Sequence, residues 1–68
     1  HVTGFLLVDK TLGEIGLIDE VLEMPQQEMA FLKYHKREVL VPLNEHLIVE
    51  IDLKNKKVMM DLPEGLLE

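Results

Sequence analysis

The apolar residues of this chain come in short runs, and each run is closed by a turn-forming segment. The run Phe5-Leu6-Leu7-Val8, for example, ends at Asp9-Lys10-Thr11 and a glycine. Short apolar runs bounded by glycine, proline or polar residues are typical of β-strands, whereas a globular helix usually needs ten or more residues of helical periodicity. The pattern predicts an all-β domain.

The runs predict about six short antiparallel strands. Their positions are 5–8, 15–24, 28–34, 38–42, 48–52 and 57–61. The charged segment His35-Lys36-Arg37 is the predicted tip of one hairpin, and Leu53-Lys54-Asn55-Lys56 is the predicted turn of a second. Pro42 is expected to end the fourth strand, since proline cannot donate a hydrogen bond to a strand ladder.

The segment 15–24 also has a helical alternative. Several of its apolar residues fall near a helical stripe, but Gly13 and Gly16 disfavour a helix. A strongly curved strand is therefore predicted, in which Gly16 marks a bend, a bulge or the close approach of another backbone.

With 68 residues the chain has the length of one small domain, spanning 1–68. It has no cysteine, so neither a disulfide nor a thiolate zinc site can stabilise the fold. Its hydrophobic residues, 47% of the chain, must supply the core. At this size the economical solution is a small closed or half-open barrel, which also leaves few strand edges. Pro63 and Gly65 predict that Leu66-Leu67 folds back as a turn or short helical cap over one barrel end.

The charge of the chain favours a basic protein as partner. Thirteen acidic residues against seven basic ones give a net charge of −6, which disfavours binding to a phosphate backbone.

No apolar run is long enough to span a bilayer, so we expect a soluble, cytoplasmic protein. Because the chain begins with His1, we expect it to be part of a longer protein.

Several segments together resemble the C-terminal PRC-barrel domain of the ribosome maturation factor RimM family. They are Gly4-Phe5 with Gly13 and Gly16, Glu38-Val39-Leu40-Val41-Pro42, Val49-Glu50-Ile51-Asp52-Leu53 with Lys57-Val58, and Asp61-Leu62-Pro63-Glu64-Gly65-Leu66-Leu67. The final segment is the most specific part of the resemblance, which covers essentially the whole chain.

The resemblance implies a small PRC-type barrel, the C-terminal part of a two-domain protein. It also implies a non-enzymatic assembly factor that binds the small (30S) ribosomal subunit through a basic protein of the subunit head, ribosomal protein S nineteen, and supports processing of 16S rRNA. The alternative is a PRC-barrel scaffold or regulatory protein-binding module unrelated to the ribosome. A third class, a small RNA-binding barrel, is disfavoured by the acidic charge.

The residues give no catalytic, cofactor or metal site. His1, His35 and His46 lack the spacing of a metal site, and His35 is more simply a turn residue. No serine or cysteine is present, and neither threonine lies beside a candidate base. No enzyme activity, cofactor or small-molecule ligand is therefore predicted.

Exposed turn and strand residues are the candidate partner contacts. They are Glu20, Glu23, Tyr34, Lys36 and Arg37. The basic residues near the two predicted hairpin turns would form a secondary RNA-contacting patch if the fold brought the turns together.

Overall fold

The apolar runs of the sequence become strands because alternate residues of each strand can enter a shared core. The computed structural model describes residues 1–68 and has seven strands and no helix. The strands are β1 (Leu6–Asp9), β2 (Gly13–Leu17), β3 (Glu20–Glu23), β4 (Glu28–Tyr34), β5 (Arg37–Leu43), β6 (Ile48–Asp52) and β7 (Lys57–Met60). They form a four-stranded sheet in the order β2-β1-β7-β6 and a three-stranded sheet in the order β3-β4-β5. The predicted all-β fold is confirmed.

The inner faces of the two sheets enclose a single core. Leu7, Val58 and Met60 of the four-stranded sheet are fully buried, as are Ala30, Leu32 and Val41 of the three-stranded sheet, which are among the eleven buried apolar residues. No side-chain nitrogen or oxygen is buried without a hydrogen-bond partner. The core is therefore apolar, and the polar side-chain atoms inside the fold are paired.

The strand predicted over 15–24 divides into β2 and β3, which lie in different sheets. The chain changes sheets at Ile18 and Asp19. The Ile18 N–H still donates to the carbonyl of Phe5, at 2.8 Å, whereas the Asp19 N–H already donates to Phe31, at 2.9 Å. The segment is extended and turns a corner as predicted, but its two halves have different neighbours, which raises the strand count to seven.

Gly16 lies where the two sheets approach each other. The pairing of β1 with β2 is irregular between Leu7 and Val8, opposite this glycine, as expected of a bulge. A Cβ atom at Gly16 would lie 3.0 Å from the backbone oxygen of Lys33. The prediction of a bulge and a close backbone approach at Gly16 is confirmed.

The prediction that all pairs are antiparallel is wrong for one pair. β1 runs parallel to β7, with Leu6 beside Lys57 and Asp9 beside Met60. Both predicted hairpins are antiparallel. The parallel pair instead joins the first and last strands of the fold, which no local sequence pattern predicts. A tight turn cannot make this connection.

The hairpin of β4 and β5 turns at His35 and Lys36, which have φ values of 50° and 67°. Two consecutive residues with positive φ make the type I′ geometry that matches the twist of a two-residue hairpin. Pro42 does not end the strand as predicted: β5 continues to Leu43, because β5 is an edge strand, where a missing N–H is tolerated.

The segment after β7 forms turns that cover one end of the barrel. The Leu66 N–H donates to the carbonyl of Pro63, and Gly65 takes a φ of 88°. Leu67 is only 4% exposed and belongs to the core, and Leu66 packs against it. The predicted cap is confirmed as turns, without a helix.

Candidate functional site

The β4–β5 turn positions three of the predicted partner contacts at one end of the barrel. Tyr34 and Arg37 pair across the hairpin and flank the turn residues His35 and Lys36. The Tyr34 ring stacks on the ring of His35, with centroids 4.0 Å apart and an interplanar angle of 17°. Lys36 is exposed at the tip. The turn therefore presents an aromatic pair beside two cations.

Arg37 also binds the chain's own C-terminal segment. Its guanidinium donates a hydrogen bond through Nη2 to the backbone carbonyl of Leu67. A groove of about 340 Å³ lies beside this contact and is lined by Asp9, Thr11, Leu12, Tyr34 and residues 62–68. Arg37 is therefore in part a structural residue that fastens the cap to the hairpin.

Asp9 is the buried polar residue in the lining of the groove, and its role was not predicted from the sequence. Its Oδ2 accepts hydrogen bonds from the N–H groups of Thr11 and Leu12, at 3.0 and 2.8 Å, and its Oδ1 accepts one from the N–H of Leu62, at 2.8 Å. An aspartate at a strand end, followed by a glycine-containing turn, is the local signal for the first two bonds. The bond to Leu62 has no local signal.

The environment of Asp9 favours its charged form. Burial alone would raise the pKa of the carboxyl group, but the backbone N–H groups of Leu62, Leu12 and Thr11 together outweigh burial and lower the pKa below its ordinary value. A carboxylate that is 3% exposed and accepts three backbone hydrogen bonds is a structural group. It joins the β1–β2 turn to the start of the cap.

Glu20 and Glu23 lie at the two ends of β3, apart from the hairpin tip. Glu20 is opposite Phe31, and Glu23 is opposite Glu28 at the end of the hairpin farthest from Tyr34. Both side chains are exposed. The structure therefore brings Tyr34, Lys36 and Arg37 together but not Glu20 and Glu23 with them.

A second surface, which the sequence reasoning did not identify, lies on the outer side of the three-stranded sheet. Two adjacent rows cross the sheet, one formed by Leu22, Met29 and Pro42 and the other by Glu20, Phe31 and Leu40. We call its five apolar residues, Leu22, Met29, Phe31, Leu40 and Pro42, the apolar sheet face. Leu40 is 42% exposed and the other four are half-buried.

A signal for the apolar sheet face is present in the sequence. The segments Met29-Ala30-Phe31-Leu32 and Val39-Leu40-Val41-Pro42 are apolar at every position instead of at alternate positions. Continuous apolar strands are apolar on both faces, and in an isolated two-sheet barrel only one of those faces is covered.

The two basic turns lie at opposite ends of the barrel. The β6–β7 turn is next to the start of β1, because Lys56 accepts a backbone hydrogen bond from Leu6. The β4–β5 turn is next to the end of β1, where Tyr34 and Asp9 line the same groove. The condition for a joint RNA-contacting patch is therefore not met.

No group of three or more histidine, cysteine, aspartate or glutamate side chains is arranged to hold a metal ion. His35 lies in the β4–β5 turn as predicted. The structure contains no helix with the length and hydropathy to cross a membrane.

Comparisons with known proteins give the family. The family model described as the RimM PRC barrel domain matches residues 1–66. Proteins named ribosome maturation factor RimM from Flavobacterium psychrophilum and Flavobacterium johnsoniae are each 43% identical to the chain over all 68 of its residues. The chain spans 39% of the length of each of these relatives.

A solved structure has the same fold. The crystal structure of a protein described as the 16S ribosomal RNA processing protein RimM of Pseudomonas aeruginosa superposes with a TM-score of 0.81 at 24% identity. The match covers 91% of this chain and 41% of that one. The architecture is thus that of a PRC barrel, and the chain belongs to the RimM PRC barrel domain family.

Proposed function

We propose that this chain is a non-enzymatic ribosome assembly domain of the cytoplasm. It binds the small (30S) ribosomal subunit through a basic protein of the subunit head, ribosomal protein S nineteen, and so supports processing of 16S rRNA. The observation that carries the proposal is the family match over 1–66, together with full-length coverage of this chain by relatives named ribosome maturation factor. The domain acts by binding and positioning, without a chemical step.

The charge of the chain supports a protein partner over naked RNA. A net charge of −6 repels phosphate and attracts a basic protein, with a salt-dependent association rate. The separation of the two basic turns removes the arrangement that would have favoured RNA. Direct RNA contact is therefore secondary in this proposal, and we assign it to Lys36 and Arg37 at the β4–β5 turn.

The domain is proposed to be the C-terminal part of a two-domain protein. The chain spans 39% of the length of the Flavobacterium relatives, which leaves room for another domain. In this arrangement the rest of the protein makes its own contacts with the subunit, and Glu20, Glu23 and Tyr34 of this domain contribute to the contact with the head protein.

A binding titration tests the proposal. The chain, shown to be folded by its amide spectrum, is titrated with immature 30S subunits and with isolated ribosomal protein S nineteen at two salt concentrations. We expect saturable binding to both that weakens as the salt concentration rises, because an acidic domain is meeting a basic protein. The double variant Glu20→Gln with Glu23→Gln should weaken binding about threefold, whereas the matched change Glu14→Gln with Glu50→Gln on the other sheet should have little effect.

A folded chain that binds neither the subunit nor the protein contradicts this assignment. Binding to naked 16S rRNA with a steep salt dependence, without binding to the protein, would replace it with an RNA-binding function.

A further inference from the structure

The apolar sheet face is more extensive than a barrel surface in water needs to be. Its two rows contain six residues across β3, β4 and β5, and Glu20 is the only charged one. The inner side of the same sheet is already filled by the core. The apolar character of the outer side therefore contributes nothing to closing the barrel.

The outer side of the four-stranded sheet provides an internal comparison. One row there consists of Leu17, Leu6, Lys57 and Asp52, and two of its four residues are charged. The next row, with Glu14, Val8, Met59 and Glu50, again has two charged residues. Each of these rows has two charged residues, whereas the two outer rows across β3, β4 and β5 have one charged residue between them. The two outer surfaces are therefore not equivalent.

Two carboxylates and one lysine border the apolar sheet face, and the cations Lys36 and Arg37 lie beyond them at the β4–β5 turn. Glu20 lies at the β3 edge of the apolar sheet face, opposite Phe31, and the next outward-facing row along β4 and β5 places Glu38 opposite Lys33. Glu20, Glu38 and Lys33 are all exposed. Carboxylates beside an apolar centre fit a partner surface that has lysines or arginines beside apolar side chains.

Charge disfavours two other occupants of this surface. A second copy of the chain would bring its own carboxylates close to Glu20 and Glu38, and each copy has a net charge of −6. A nucleic acid would place phosphates against the same carboxylates, and the apolar sheet face has no cation at its centre to receive them.

We propose that the apolar sheet face, with Glu20 and Glu38 at its rim, is the surface through which this domain docks a basic protein. The inference rests on the proposed function, because it names the surface that holds the basic partner. Leu40 and Phe31 fill the centre of the contact, and the two carboxylates select for positive charge around it. The β4–β5 turn then lies outside the apolar contact, at its edge.

Substitutions on the two outer surfaces test the inference. Isolated ribosomal protein S nineteen is titrated into the unaltered chain and into Leu40→Gln, with Leu17→Gln on the other sheet as the control. Leu40 is 42% exposed and Leu17 61% exposed, so neither change should unfold the barrel. We expect about tenfold weaker binding for Leu40→Gln and no more than a twofold change for Leu17→Gln.

Charge reversal at the exposed residue Glu38 provides a second variant outside the core. Glu38→Lys should weaken binding about fivefold and reduce its salt dependence, whereas Glu50→Lys on the other sheet should do less. Amide spectra of the unaltered chain with and without the protein should show the largest shifts on β3, β4 and β5.

The outcomes separate the two proposals. Binding that Leu40→Gln and Glu38→Lys leave unchanged overturns this inference while the proposed function stands. A folded chain that binds neither the protein nor the subunit overturns both. A dimer in sedimentation that Leu40→Gln dissociates would assign the apolar sheet face to a second copy, and rRNA binding that Leu40→Gln weakens would assign it to RNA, so either result also overturns it.

Discussion

At the scale of single residues, Asp9 makes the connections that the hydrophobic core cannot make. Its two carboxylate oxygens satisfy N–H groups of the β1–β2 turn and of Leu62, which are far apart in sequence. Charge-assisted hydrogen bonds to backbone N–H groups are stronger than neutral ones, and a buried donor without an acceptor is costly. One side chain thereby holds a turn and the cap segment in register.

Replacing Asp9 with alanine should destabilise the domain strongly. The change leaves the N–H groups of Thr11, Leu12 and Leu62 without their acceptor, and we expect a loss of about 3 kcal/mol in the free energy of unfolding. Urea denaturation measures it. Asp61→Ala, at an exposed neighbouring position, is the matched control and should change stability by less than about 0.5 kcal/mol.

The lowered pKa of Asp9 predicts an acid-dependent loss of stability. Above the ordinary carboxyl pKa of 3.8, Asp9 is charged in both the folded and the unfolded chain, and its contribution to the free energy of unfolding is complete. As the pH falls below 3.8 toward the lowered folded pKa, the unfolded chain takes up the proton first, so the contribution declines. In denaturation experiments the free energy of unfolding of Asp9→Asn should fall less steeply with pH over this range than that of the unaltered chain. Parallel curves for the two proteins would contradict this assignment.

At the scale of elements, the β4–β5 turn carries backbone strain that its sequence does not relieve. His35 and Lys36 both have positive φ, a region that glycine and asparagine enter more readily than other residues. The hairpin nevertheless forms, because the seven pairs from Glu28–Leu43 to Tyr34–Arg37 fix its register. The packing of the strands therefore overrides the local preference of the turn.

Lys36→Gly should stabilise the domain despite the removal of a side chain. Glycine relieves the left-handed strain at φ 67° and loses part of that gain to the greater freedom of the unfolded chain, so we expect a net gain of about 0.5 kcal/mol. Thermal unfolding measures it. Lys36→Ala removes the same charge but keeps the Cβ atom, and an equal gain in this control would show that charge, not backbone strain, is responsible.

The elements also show what local sequence patterns can predict. Turn positions, both hairpins and the role of Gly16 follow from residue types that act within a few neighbours. The sheet change at Ile18 and Asp19, the parallel pairing of β1 with β7 and the bond from Asp9 to Leu62 depend on distant segments, which periodicity does not report. The apolar sheet face has a local signal in the unbroken apolar runs of β4 and β5, but its exposure depends on the sheet arrangement.

At the scale of the whole molecule, the C-terminal segment completes the core. Leu67 is 4% exposed and lies in the same cluster as Leu7 and Leu32, and Arg37 donates a hydrogen bond to its carbonyl. A small domain buries a limited fraction of its surface, so the loss of one large core side chain removes a large part of its stability.

Leu67→Ala should therefore cost about 3 kcal/mol in the free energy of unfolding, through lost burial and an unfilled cavity. Urea denaturation followed by circular dichroism measures the change. Leu53→Ala, at a position that is 69% exposed, is the matched control and should be nearly neutral. Equal effects at the two positions would show that Leu67 does not pack in the core in solution.

The parallel pairing of β1 with β7 has a consequence for the order in which the domain can form. β1 lies inside its sheet between β2 and β7, so its second edge has no partner until the last strand has been synthesised. Contacts between distant segments slow folding, because a long loop must close before they form. In a chain emerging from a ribosome, the free β1 edge of the β1–β2 hairpin would stay exposed to solvent during most of translation. The barrel would close only after β7 had emerged.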